Sequence, residues 1–573
     1  MRRTFIALAL GLAAMAAWAG DDHDGDHEKD PFAFTLDVKE KVLDNGFRIL
    51  VAPRPGAPRI ACAVWFRVGS VDELPGRTGL AHCLEHMMFK GTHRIGVKDA
   101  ALGDKLDAQL DATWAHKKAL ATELGGDLSR LRAQERAFLA SSGRLLAAGE
   151  DVATLASEAA FLGTKVFHPE DKAYFEIRET EAEFTRLILE ERKNDRKEEL
   201  WDTYVAAGGT NLNAFTTEDS TQYVVTLPTN QLELFFWLEA DRLSDPVFRE
   251  WYPERDVVKE ERRNDENAAD GPFYEALTGV IFGPHPYGHP ILGWTKDLDE
   301  ITPKDAYEFF EEHYSPENAT CVLAGDVDPE KAFALAARYL GKVPKRKTRV
   351  TRVPAEPTCP GEKRFSLEAE TEPRVELYWR APDPRSREND VLGVIATLLS
   401  GESGRLYKKV VEEKTIATSV EASLDAHRYA GRFHVGARAK PDTDLDKLES
   451  DLDEEVTGLT TDLVPGDELE RAKGRIAAEV VRGIEDLEGT ASRLGEGATL
   501  YGDWRSLVER GKRVRSVTAE EVRAVARKTF RTAGRTVGVL VRGPGTPEPA
   551  EENKEEEPAP QGHPHPPKPG HRR

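Results

Sequence analysis

Cysteine is scarce in this chain: four residues, at positions 62, 83, 321 and 359 of 573. That excludes a disulfide framework as the basis of the fold. Beyond the N-terminus no apolar run is long enough to span a bilayer, so no membrane-spanning helix is expected. Positive charge is in deficit, with 79 Lys and Arg against 101 Asp and Glu and a net charge of -22. Nucleic acid calls for a basic face, so no nucleic-acid partner is expected. The length exceeds what one core usually holds, which points to two domains with additions.

What is present starts at the N-terminus. Arg2 and Arg3 precede the apolar run Thr4 to Ala16, and Ala17-Trp18-Ala19 is a small-x-small cleavage site. Residues 1–19 read as a signal peptide, which predicts export to a bacterial periplasm; an N-terminal anchor is the other reading. Residues 20–36 form a polar linker. Leu36 to Val51 alternates around Asp44-Asn45-Gly46, a hairpin signal, and Ile60 to Val68 reads as a strand. Pro373-Arg374-Val375 to Trp379-Arg380 resembles Pro58-Arg59-Ile60 to Trp65-Phe66-Arg67. A helix over Asp390 to Leu399 follows the second copy, then the loop Ser400 to Tyr407. This faint duplication predicts an α+β fold of two related domains, 37–343 and 361–543, each an antiparallel sheet covered by helices. The join is 344–360, rich in Pro, Lys, Arg and Thr. The tail 544–573 is rich in Pro, Glu and His and is expected to be disordered.

Residues 97–205 read as a helical insertion in the first domain. Ala100 to Leu124, Leu128 to Leu146 and Phe175 to Tyr204 each have helical spacing. An antiparallel pair is expected. It could clamp a partner or substrate, but its charged composition reads more simply as a self-contained, solvated unit. Its removal is then expected to leave the rest intact.

His82-Cys83-Leu84-Glu85-His86 spells H-x-x-E-H. On a helix, positions i, i+3 and i+4 share a face, so His82 and His86 could hold one zinc while Glu85 reaches a water on it. This inverts the commoner H-E-x-x-H order. Such a pentapeptide also arises by chance on a polar helix face. Here Leu80, Leu84, Met87, Met88 and Phe89 make the helix otherwise apolar, and a metal would explain three ionisable groups together on it. Cys83 falls on another face and reads as a small buried residue, not a ligand. Catalytic zinc usually takes three protein ligands. Glu254-Arg255-Asp256-Val257-Val258-Lys259-Glu260-Glu261 is the segment that stands out. At helical spacing Val257 and Val258 are expected in the core, with Glu254 and Glu261 beside it.

With these residues in view, the chain resembles the pitrilysin/insulinase family of zinc peptidases, to which mitochondrial processing peptidase belongs. The likeness runs from about residue 37 to 543. It includes H-x-x-E-H with Phe89-Lys90-Gly91-Thr92, the segment Gly208 to Thr216, and E-R-x-V-V-x-x-E. It also includes His285-Pro286-Tyr287-Gly288 with Gly293, and Tyr314-Ser315-Pro316-Glu317-Asn318 running into Gly325-Asp326. The resemblance implies one zinc per chain held by His82, His86 and Glu261, with Glu85 as catalytic base and Glu254 in support. It also implies that Asn213, Ala214 and Phe215 lie on an edge strand that receives a peptide substrate; ordinary strand packing is the other reading.

Two departures matter. The stretch from His86 to Glu261 is much longer than the family usually shows, and the helical arm accounts for it. The second half of the family carries an Arg and, seven residues on, a Tyr that reach the substrate. Here Val411 and Thr418 stand in those places, and neither can replace a guanidinium or a phenol. Arg405 and Tyr407 lie earlier and read as structural. A zinc endopeptidase working with a related subunit that carries the Arg/Tyr pair is one reading. A non-catalytic scaffold subunit is the other. Metal content and peptide cleavage would separate them.

Overall fold

The computed structural model describes residues 36–125, 128–133, 172–349, 351, 353 and 361–543. The leader 1–19, nearly all of the 20–36 linker, much of the 344–360 join, the tail 544–573 and most of the helix expected over 128–146 lie outside the described residues.

Two sheets organise the chain. The first runs β1-β2-β6-β3-β5-β4, from β1 (Lys39–Val42), β2 (Arg48–Pro53), β3 (Arg59–Phe66), β4 (Thr210–Thr216), β5 (Thr221–Pro228) and β6 (Ala319–Gly325). The second runs β7-β11-β8-β10-β9, from β7 (Lys363–Ala369), β8 (Arg374–Ala381), β9 (Ala417–Asp425), β10 (Gly431–Ala439) and β11 (Thr536–Arg542). Without β1, the two orders match strand for strand. In each, the first two strands are parallel (β2 with β6, β7 with β11) and every other neighbour is antiparallel. The segments that look alike in sequence, around Ile60 and Val375, are β3 and β8, the middle strand of each set. β1 and β2 form the hairpin expected at Asn45-Gly46, with Gly46 at φ 95° in the left-handed region that glycine tolerates.

β3 is buried on both faces, which explains its near-continuous apolar run. Ile60, Cys62, Val64 and Phe66 face the helices of their own half. Ala61, Ala63 and Trp65 instead meet Ala491 and Leu494 on helix Leu487–Leu500, from the second half. Gly495 is needed there: a Cβ would lie 2.1 Å from the Trp65 indole nitrogen. The exchange is mutual. Helix Gly271–Phe282 of the first half lays Phe273, Leu277 and Ile281 against Tyr378 and Leu540 of the second sheet. Each half thus lends a helix to the other's sheet, and apolar burial holds the two together.

The arm is an antiparallel pair, helices Ala100–Leu124 and Lys172–Asn194. Two points differ from the sequence reading. The helix expected over Phe175 to Tyr204 is two helices, Lys172–Asn194 and Glu199–Ala206. Asp195 leaves the helical path to bridge Val97, and Glu198 turns the chain at φ 55°. Nor is the arm self-contained throughout. Leu120, Leu131, Tyr174 and Ile177 form a small core of their own, but Leu106, Leu110, Phe184 and Leu187 belong to the main core of the first half. Among the described residues no helix is long and apolar enough to cross a membrane.

Candidate metal centre

Helix Leu80–Met87 buries Leu80, Ala81, Cys83, Leu84 and Met87 in the core, and its other face carries His82, Glu85 and His86. Gly79 starts it at φ 90°, and a Cβ there would lie 2.6 Å from the Leu292 carbonyl oxygen. Glycine supplies no capping side chain. Glu73 fills that role: its carboxylate accepts the Gly79 N–H at 2.8 Å and the Ala81 N–H at 2.7 Å. A carboxylate at a helix N-terminus is favoured by the aligned peptide dipoles. Burial nonetheless pushes the Glu73 pKa well up, against the pull of those two bonds.

His82 Nε2 lies 3.8 Å from Glu261 Oε2, and His86 Nε2 lies 3.9 Å from the same oxygen. Among the described residues these three form a group whose ligand atoms lie within 4.8 Å of one another. Donors bonded to one zinc at about 2.0–2.1 Å lie roughly 3.3 Å apart, so these side chains would have to draw together by roughly 0.5 Å or more to share one ion. The donor chemistry fits as well. Burial, and next the neighbouring His86, lower the His82 pKa to about 3, so this imidazole is neutral with a free lone pair. Burial also lowers His86, but its bond to Glu254 and the carboxylates of Glu261 and Glu85 outweigh that and raise it.

Glu254 is not among the three donors. Its Oε2 sits 3.5 Å from His86 Nδ1, and its other oxygen takes a bond from Lys90. Burial raises the Glu254 pKa, yet the bonds from His86 and Lys90 prevail and hold it at about 2. An ionised acceptor on Nδ1 fixes the tautomer that leaves Nε2 for a metal. The Glu85 carboxylate accepts from Thr216 Oγ1 of β4. Burial raises its pKa, and the Thr216 bond only partly opposes this.

Glu254 and Glu261 lie on helix Trp251–Asn267, whose buried stripe is Trp251, Tyr252, Arg255, Val258 and Arg262. Val258 is in the core as expected, but Val257 is 45 % exposed. Adjacent helical residues point about 100° apart, and here the buried stripe takes in Val258 and Arg255 while Val257 falls outside it and joins Glu254 in the cleft wall. Among the described residues β4 pairs only with β5 and is the edge of its sheet. Asn213 and Phe215 on it are exposed, while Ala214 is buried. A cleft of about 540 Å³ opens there, lined in part by Glu85, His86, Phe89, Trp201, Ala214 and Val257.

Cys83 is buried in the core, and burial pushes its thiol pKa up, away from a metal-binding thiolate. Cys62 and Cys321 are likewise free and buried. In the second half Val411 packs against the core and Thr418 is exposed on β9. Arg405 pairs with Glu468 through two bonds of 2.7 and 2.8 Å, a structural role. Sequence reasoning missed Glu73, Lys90 and Thr216. Only Glu73 left a local signal, an acidic residue shortly before a helix that starts on glycine.

Residues 48–112 and 184–293 match the family described as Insulinase (Peptidase family M16). Residues 300–476 match Peptidase M16 inactive domain, a span that excludes the H-x-x-E-H motif. The break between 112 and 184 falls within the arm. An uncharacterised zinc protease of Mycobacterium tuberculosis is 31% identical over 353 residues, covering 59% of this chain and 78% of the relative. One of Streptomyces coelicolor is 24% identical over 522 residues, covering 88% of this chain and 90% of the relative. Among solved structures, a protease from Helicobacter pylori shares the fold at a TM-score of 0.64 and 19% identity, covering 89% of this chain and 100% of its own. The periplasmic protease PqqL from Escherichia coli does so at 0.60 and 17%, covering 89% and 48%. The matching family profiles, the named zinc-protease relatives and the duplicated fold agree: this chain belongs to the insulinase family of peptidases, M16.

Proposed function

We propose that this chain is a zinc-dependent endopeptidase acting on peptides or unfolded protein segments, and that it works as the zinc-bearing member of a heterodimer. The carrying observation is the meeting of His82, His86 and Glu261 beside Glu85, with Glu85 and His86 lining a cleft walled by a sheet edge. Zinc, when bound, would polarise a water and the scissile carbonyl. Glu85 takes the proton from the attacking water and returns it to the leaving amine; its raised pKa suits a group that both accepts and gives a proton. Thr216 holds that carboxylate toward β4. The substrate backbone adds to the β4 edge alongside Asn213, Ala214 and Phe215, so pairing gives affinity and side-chain pockets give preference. Export through residues 1–19 would put the activity in the periplasm. A pure scaffold would have no use for a buried base beside three convergent donors.

The test is Glu85→Gln. The amide keeps the shape, so zinc uptake should match wild type while peptide cleavage falls by ~100-fold to ~10,000-fold. Cleavage at the wild-type rate would remove Glu85 from the mechanism.

A further inference from the structure

The helix that carries Glu254 and Glu261 begins without a cap of its own. Glu250, its first flanking residue, offers no side-chain bond to the helix and adopts φ 54°. That left-handed conformation is unfavourable for a side-chain-bearing residue and persists only where the surroundings impose it. The surroundings here are the root of the helical arm. Glu191, 3 % exposed near the end of helix Lys172–Asn194, accepts the Glu250 N–H at 2.8 Å. Arg192 lies 3.6 Å from the Glu250 carboxylate, which also takes a bond of 3.2 Å from Lys90.

The first turns of the ligand helix are gripped from the same side. Tyr252 donates its hydroxyl to Asp111 of helix Ala100–Leu124 at 2.8 Å. Its ring centroid lies 5.0 Å from those of both Trp114 and Phe184, one on each arm helix. The Arg255 guanidinium stacks on Trp114 at 4.3 Å. Of these groups Trp114 and Phe184 pack with the main core of the first half, and none belongs to the arm's outer core.

We propose that the root of the arm is part of the metal site: Glu191, by holding the Glu250 amide, fixes the helix that presents Glu254 and Glu261 and is a positioning residue for the third ligand. This rests on the zinc reading above. Glu261 lies about 16 Å along the helix from Glu250. A rigid helix passes a small tilt at its start on to that distance, and metal ligands tolerate only a few tenths of an ångström. Glu254 travels with the same helix, so its hold on His86 changes too. The arm is thus a buttress at its root and is expendable only further out.

The experiment compares the full chain with Glu191→Ala, Glu191→Gln and Tyr252→Phe. Zinc affinity is read by competition with a chelator, and amide hydrogen exchange over 250–258 is read in metal-free protein. Glu191→Ala should weaken zinc binding about ten-fold, as loss of an orienting partner does, and speed exchange at those amides. Glu191→Gln keeps an accepting oxygen and should restore both. Tyr252→Phe deletes one hydroxyl, keeps the ring, and should move both readouts the same way by less. Wild-type affinity and exchange in Glu191→Ala would overturn the proposal. Should that variant not fold, unchanged readouts in Tyr252→Phe would overturn it equally. If wild type takes up no zinc, the functional reading fails, and the exchange rates alone decide the positioning role.

Discussion

Arg428, on the turn between β9 and β10, donates to the Asp72 carboxylate of the first half at 2.8 Å, and each side chain is 5 % exposed. The same guanidinium donates to the Arg67 carbonyl at 3.1 Å, and the Arg428 N–H donates to Asp219 at 2.8 Å. Asp219 also takes the Tyr287 hydroxyl at 2.6 Å. It sits in the β4–β5 turn, just past Thr216, which holds Glu85. The two halves are therefore latched at the loop next to the candidate base.

Arg428→Ala should destabilise the protein by about 3–5 kcal/mol, because it leaves Asp72 buried with its charge uncompensated. Denaturant unfolding checks this. A change below about 1 kcal/mol would mean that the latch is only a surface-like pair.

Asp195 at the root of the arm carries a pKa of about 7, raised by burial first and then by Glu191 and Glu250, against Arg249 and Lys90. Burial is also the first cause of the raised values of Asp107 and Glu191 beside it. A carboxyl whose folded pKa is raised contributes stability that is fully present below its unfolded value of about 3.9 and lost as pH rises through the folded value. Stability should therefore fall between about pH 4 and pH 7, and Asp195→Asn should flatten part of that slope. Equal slopes in the two proteins, followed by denaturant midpoint, would contradict the assignment.

The places of the family's Arg/Tyr pair hold Val411, partly buried against the second core, and Thr418, exposed on β9. On the proposed mechanism neither position supplies a donor to the oxyanion, and one such donor commonly accounts for ~100-fold to ~1,000-fold in rate. The isolated chain should be a poor peptidase. An exported relative that lacks H-x-x-E-H but carries the pair should restore cleavage on mixing and co-elute with it. Full activity from the chain alone, unchanged by such a partner, would end the heterodimer reading.

Much of this was legible in the sequence because it is local. His82, Glu85 and His86 are set by helical spacing, the Asn45-Gly46 turn by glycine chemistry, and the doubled sheet by two similar strands. The rest depends on contacts distant in sequence. Glu261 needed the family likeness, since nothing near His86 points to a residue on the far side of the arm. Glu73, Lys90 and Thr216 serve the site through bonds that no short-range pattern records. The break at Asp195 was hidden because the charged run from Glu190 to Glu199 holds no Gly or Pro to mark it; the bridge to Val97 and the turn at Glu198 end the helix. Val257 was misplaced because two adjacent apolar residues look alike until the helix is seen against its neighbours.

Metal analysis of the purified full chain, beside His86→Ala, bears most directly on the central claim. Wild type should hold about one zinc per chain, and His86→Ala should lose most of it while keeping the wild-type circular dichroism. Wild-type protein without zinc after supply of the metal, or full zinc in His86→Ala, would contradict the assignment of His82, His86 and Glu261 as its ligands.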